Sequence, residues 1–176
     1  MRFFLLVLVT FPLAGGGPQF PTRDEALKQL VSKAVWSAHT VYLTNSERKR
    51  ACEFAGSKVS GVVRSYQAMS KKGAVLAWAF LDTHRVRSKR ESLLFAIAPD
   101  GTILGSRVLG FAEPREYLPP GKWLQRLDGW PLNDNLHLKK GIDGITGATL
   151  SSRAAVNAAR RSLALWKVLQ ERNEPN

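Results

Sequence analysis

The sequence predicts an α+β fold, a single domain in which a small antiparallel sheet packs with N-terminal helices and a long C-terminal helix. Three observations predict it. Apolar residues recur at helical spacing after Thr22 and again from Ala155 to Leu169. Between those stretches lie three short apolar runs without a helical stripe, Ala74 to Leu81, Ser92 to Ala98 and Thr102 to Phe111. The turn signal Pro99-Asp100-Gly101 joins the last two runs tightly enough to make them an antiparallel hairpin.

The elements follow in chain order. Met1-Arg2 sets a positive head before the apolar run Phe3 to Val9, and small residues follow at Ala14-Gly15-Gly16-Gly17. That order is the one a secretory signal peptide needs, expected over residues 1–17 with cleavage between Ala14 and Gly17. The run is shorter than the roughly 20 residues that span a bilayer, so the alternative is an uncleaved N-terminus docked on a membrane. Gly16 stands where a lipid-bearing cysteine would have to be, and no lipid anchor is expected. Export places the protein in the periplasm or on the outer face of the cytoplasmic membrane. Residues 18–73 read as an N-terminal helical region. Thr22 and Glu25 form a capping-box pattern, and Leu27, Leu30, Val31, Ala34 and Val35 mark a helix from about Arg23 to Trp36. Val41 to Leu43 reads as a short strand, and Asn45 caps a second helix that Gly56 ends. Val59 to Ala68 fits helix or strand. Asp82 to Arg90 is a polar break between the first two apolar runs. Glu113 to Lys140 is loop-rich, with Trp123, Leu124, Leu127 and Trp130 as a short amphipathic turn against the sheet. Ser151 or Ser152 caps the closing helix, which runs to about Glu171.

Composition narrows the chemistry. The one cysteine, Cys52, cannot form an internal disulfide, and it excludes c-type haem, iron–sulfur clusters and thiolate zinc sites. His39, His84 and His137 lack metal-ligand spacing, so no metal is expected. Lys and Arg outnumber Asp and Glu by 26 to 14, a net +12 that suits nucleic acid, anionic lipid or an acidic protein. The basic residues are scattered from Arg48 to Arg161 with no aromatic interleaving, and an exported protein rarely meets nucleic acid, so no nucleic-acid partner is expected. A solvated surface and steering toward an acidic redox partner both stay open.

The chemistry concentrates in Asp143-Gly144-Ile145-Thr146-Gly147-Ala148-Thr149-Leu150-Ser151-Ser152, just before the last helix. Gly144 and Gly147 let the backbone bend and approach a ligand. Hydroxyls on Thr146, Thr149, Ser151 and Ser152 crowd a helix N-terminus, whose free N–H groups and partial positive charge attract phosphate. These features alone fit a phosphate site or a plain helix cap and turn.

The segment resembles the flavinylation motif of the FMN-binding domain family. That motif is Asp, two variable residues, Ser or Thr, Gly, Ala, Thr, one variable residue, then Ser or Thr. Asp143, Thr146, Gly147, Ala148, Thr149 and Ser151 satisfy it in register. The family includes flavin subunits of the sodium-pumping NADH:quinone reductase and of Rnf complexes, and the likeness covers about Ala74 to Leu169. It implies an FMN-binding domain over 74–172, with FMN joined covalently to Thr149 through a phosphoester. A separate flavin transferase would make that bond outside the cytoplasm, taking FMN from FAD and releasing AMP. Asp143 belongs to the recognised sequence. Glu113-Pro114 follows a strand and holds the place of the family's Glu-Thr-Pro-Gly-Leu-Gly loop beside the flavin, although the glycines are missing here. Tyr117, Trp123 and Trp130 either wall the flavin ring or pack in the core. The implied function is an electron carrier of the cell envelope, served by a redox partner protein or a membrane electron-transfer complex, with no catalytic residue of its own. The alternatives are an exported FMN-dependent reductase of a small acceptor and a flavin-free basic envelope-binding module.

Overall fold

The computed structural model describes residues 20–173. The expected signal peptide, residues 1–17, lies outside the described residues. Helix α1 (Arg23–Leu30) starts at the predicted capping box: the Thr22 hydroxyl accepts from the Glu25 N–H, and the Glu25 carboxylate accepts from the Thr22 N–H at 2.8 Å. It stops earlier than its apolar stripe suggests, because the stretch Val35-Trp36-Ser37-Ala38-His39-Thr40-Val41-Tyr42 is rich in β-branched and aromatic residues and forms strand β1 (Val35–Tyr42) instead. Helix α2 (Asn45–Ala55) begins beside Thr44, which is the cap rather than Asn45, and Gly56 ends it in the left-handed conformation. Strand β2 (Val62–Met69) resolves the ambiguous stretch. Residues 18–73 therefore contribute two strands as well as two helices, so that region is not purely helical.

Strands β3 (Val75–Arg85), β4 (Arg90–Ile97) and β5 (Ile103–Phe111) match the three apolar runs, and all five strands form one antiparallel sheet in the order β1-β2-β3-β4-β5. The polar break shrinks to residues 86–89. Asp82 and His84 fall within that break in sequence, yet they sit inside the β3–β4 ladder, where His84 partners both Asp82 and Glu91. The β4–β5 turn needs Gly101: its φ is +83°, and an added Cβ would come within 2.6 Å of the Trp166 ring.

Alternation along the strands sends residues to two faces. One face carries Phe80, Leu93, Phe95 and Ile97 into the main core, against α2, the short helix α3 (Gly121–Leu124) and the long helix α4 (Thr149–Asn173). The other carries Tyr66, Ala79, Leu94 and Ala96 against Ala26 and Leu27 of α1. Trp123, Leu124 and Leu127 are buried as the amphipathic turn predicted. Arg160 of α4 is buried in spite of its charge. It is 6% exposed, and its guanidinium donates to the Phe54, Ala55 and Asn133 carbonyls at 2.7–3.1 Å. It thus ties α4 to the carbonyl end of α2 and to the loop leading to the motif. No helix among the described residues is long and apolar enough to cross a membrane.

Candidate functional site

The motif loop is held from three sides before it enters α4. The buried Trp123 indole donates to the Asp143 carbonyl at 2.8 Å. The Ser152 hydroxyl accepts from the Ile145 N–H at 3.0 Å and donates to the Ala148 carbonyl at 3.0 Å. The Ala148 N–H closes a turn onto the Ile145 carbonyl, and Gly147 takes a φ of +81°, a left-handed value that suits glycine. Helix α4 therefore begins at Thr149, two residues before the expected cap. Ser151 and Ser152 are buried within the first turn, since Ser152 already donates its N–H to the Ala148 carbonyl. The N–H groups of Thr149, Leu150 and Ser151 precede that first helical bond and have no hydrogen-bond partner among the described residues.

Thr149 is exposed and stands on a ridge between two cavities. One, of about 290 Å³, is lined by Val86, Arg87, Glu113 and Tyr117 and by residues 147–151. The other, of about 250 Å³, is lined by His137 to Lys139, Arg153, Val156 and Asn157 as well as Thr149. A larger groove, about 840 Å³, lies between α1, β5 and residues 118–128, and contains none of the motif. The structure thus brings Thr149, Gly147, Ala148, Ser151 and Glu113 to one cavity. Asp143 and Thr146 are exposed beside it and line neither cavity. The Asp143 carboxylate instead meets Arg126 at 2.7 Å.

Glu113 reaches the cavity wall, but its carboxylate turns inward. It accepts the N–H groups of Arg87, Ser88 and Lys89 at 3.1, 2.6 and 2.6 Å. The bonds from Lys89 and Ser88, with that from Arg87, outweigh burial and hold its carboxyl below the usual carboxylate range. Glu113 anchors the β3–β4 hairpin over the motif and so places Val86 and Arg87 at the cavity. Of the three aromatics considered for the wall, only Tyr117 lines it; Trp123 is in the core and Trp130 packs on Gly141.

The second cavity contains residues that the motif does not announce. Lys139 is the one non-glycine residue with positive φ, +65°, among the described residues, held by its N–H bond to the Ile142 carbonyl at 2.9 Å. Burial, then the nearby Arg160 and Lys140 charges, lower the His137 pKa, which keeps its imidazole neutral at neutral pH. Arg153 lies one turn along α4 from Thr149 and could have been read from that spacing; Lys139 and Arg87 reach the site through loops that carry no sequence signal.

A phosphate fits these residues. Open N–H groups of a 25-residue helix, a free hydroxyl and flanking cations suit it, and a Cβ built on Gly147 would meet nothing within 4 Å, so the approach is open.

Comparison with known proteins accords with this geometry. Over residues 89–164, from the β3–β4 hairpin into α4, the chain matches the FMN-binding domain family. It is also similar to a subunit of the ion-translocating oxidoreductase complex from two strains of Cereibacter sphaeroides, 35% identical over 118 residues in each case, covering 60% of this chain and 53% of that protein. The chain spans about half the length of these curated relatives. The matched region contains β4, β5, Glu113, the whole motif and the first two thirds of α4, so the likeness to the FMN-binding domain family takes in the Thr149 site.

Proposed function

We propose that Thr149 carries FMN as a phosphoester and that the protein is an electron carrier of the cell envelope, working beside a redox partner or within a membrane electron-transfer complex. The observation that carries the reading is the exposed Thr149 hydroxyl at the first turn of α4, flanked by two cavities and in register with the family motif. In attachment, the Thr149 oxygen bonds to the flavin-side phosphorus of FAD, the pyrophosphate P–O bond breaks, AMP leaves and the hydroxyl proton goes to solvent. The transferase supplies the catalysis. The linked phosphate keeps one negative charge, which the α4 N–H groups and Arg153 stabilise. Bound FMN supplies the capacity to accept and donate electrons; Tyr117, Val86 and Leu150 supply apolar walls. Relatives named as components of an ion-translocating oxidoreductase complex support this assignment to electron transfer.

The test is intact mass after co-expression with a flavin transferase. The chain should gain one FMN less one water, and Thr149→Ala should remove that gain while its circular dichroism stays unchanged. Covalent flavin retained in Thr149→Ala would refute the attachment site.

A further inference from the structure

The charges around Thr149 are one-sided. Arg87 lines one cavity, and Lys139 and Arg153 line the other; none of the three pairs with a carboxylate among the described residues. The one carboxylate lining either cavity, Glu113, is 8% exposed and saturated by three N–H groups. Asp143, the exposed carboxylate of the motif, is engaged by Arg126. Glu116, exposed on the turn next to Tyr117, and Asp134, exposed and close enough to act on His137, are the remaining nearby anions, and the three cations still outnumber them. A single phosphodiester charge is already met by the α4 N-terminus and Arg153, so Arg87 and Lys139 exceed what the phosphate needs. Lys139 lines the second cavity from a left-handed backbone position that its N–H bond to the Ile142 carbonyl holds.

We infer that the Thr149 ridge is a docking face for a protein partner whose own contact surface is acidic. The inference rests on the FMN reading, because that face would surround the flavin attachment point. Its anatomy is that of a protein interface: exposed Leu150 and half-buried Tyr117 near the centre, basic side chains at the rim. A lipid surface fits less well, since docking on lipid needs a broad apolar face beside the basic one. Among the described residues the other exposed large apolar side chains, Val35, Tyr42, Val62 and Leu104, lie on β1, β2 and β5 and line neither Thr149 cavity. Cations ringing a recess raise the local concentration of an acidic partner and its rate of encounter.

The experiment uses the ¹⁵N-labelled, flavin-bearing full chain titrated with a decaglutamate peptide at low salt, with intact mass measured on the same sample. The largest amide shifts should fall in residues 86–89, 137–140 and 149–153. The double variant Arg87→Gln with Lys139→Gln should weaken binding about tenfold. The control Lys71→Gln with Lys72→Gln, which removes the same charge elsewhere, should change it less than about twofold. Shifts spread evenly over Lys49, Lys58, Lys71 and Lys72, or equal weakening in the control, would overturn the docking face. Site shifts with phosphatidylglycerol vesicles but not with the peptide would also overturn it. A chain without the flavin mass instead refutes the FMN reading, and the shift map then reports on the surface separately.

Discussion

Removing the charge of His84 should destabilise the fold in a pH-dependent way. His84 bridges two carboxylates beneath α4: its Nδ1 lies 2.8 Å from Asp82, its Nε2 lies 3.1 Å from Glu91, and Arg161 grips Asp82 with two bonds of 2.7 Å. Glu91 is 0% exposed, and its other oxygen has no partner among the described residues. With His84 protonated, two positive and two negative groups balance. Burial alone would lower the His84 pKa, but the hydrogen bonds to Asp82 and Glu91 outweigh it and the net shift is upward. His84→Gln keeps a donor yet leaves Glu91 facing no cation. Stripping one partner from a buried pair costs about 3–5 kcal/mol, and the lower end applies because Arg161 still neutralises Asp82. The sign with pH follows from linkage. A histidine whose folded pKa is raised contributes its full stability below its unfolded value, about 6.5, and loses it as pH rises through the folded value. Urea denaturation from pH 5.5 to 9 should therefore show wild type about 3 kcal/mol above His84→Gln at the acid end, with the gap closing as pH rises. A gap that widens with pH, or one under about 0.5 kcal/mol at pH 6, refutes the reasoning.

Three other perturbations test the frame around the site. Gly147→Ala meets no neighbour, so its cost is conformational, about 1–2 kcal/mol for a side chain forced to φ +81°, and chemical denaturation should report it together with slower flavin attachment. Arg160→Met should cost about 2–4 kcal/mol by orphaning carbonyls of α2 and residues 133–136, and Arg160→Lys should recover little, because one ammonium cannot reach both segments; thermal unfolding checks this. The hydrogen bond from Arg172 outweighs burial and, with the Thr44 cap, pulls the Glu47 carboxyl down to about 2. Its stabilisation is present above the unfolded value and lost as pH falls toward 2, so Glu47→Gln should remove about 1–2 kcal/mol at pH 6, discounted for the partly exposed Arg172, and flatten the acid limb of the stability curve.

What the sequence discloses and what it hides divide along physical lines. The segment before α4 is legible as a candidate site because glycines, small residues and hydroxyls stand at adjacent positions, and adjacency is what a sequence records; singling out Thr149 among them takes the resemblance to the family motif. The Pro99-Asp100-Gly101 turn and the face of α4 are legible for the same reason: both are set by local chemistry and periodicity. The start of β1 is not, because Ala34, Val35 and Trp36 satisfy a helical stripe and a strand equally well until β2 is there to pair with it. Arg160 reads as surface because its partners are carbonyls, which every residue type presents and no pattern advertises. His84 reads as loop because its polarity signals exposure until the register sets Glu91 directly across from it. Glu113 is the instructive intermediate case. Its place beside the motif is readable from its position after β5, but the direction of its carboxylate depends on three N–H groups of a hairpin that the sequence marks only as polar. A carboxylate held that way anchors the hairpin that brings Arg87 to the Thr149 cavity, so a buried acid helps to place a cation there.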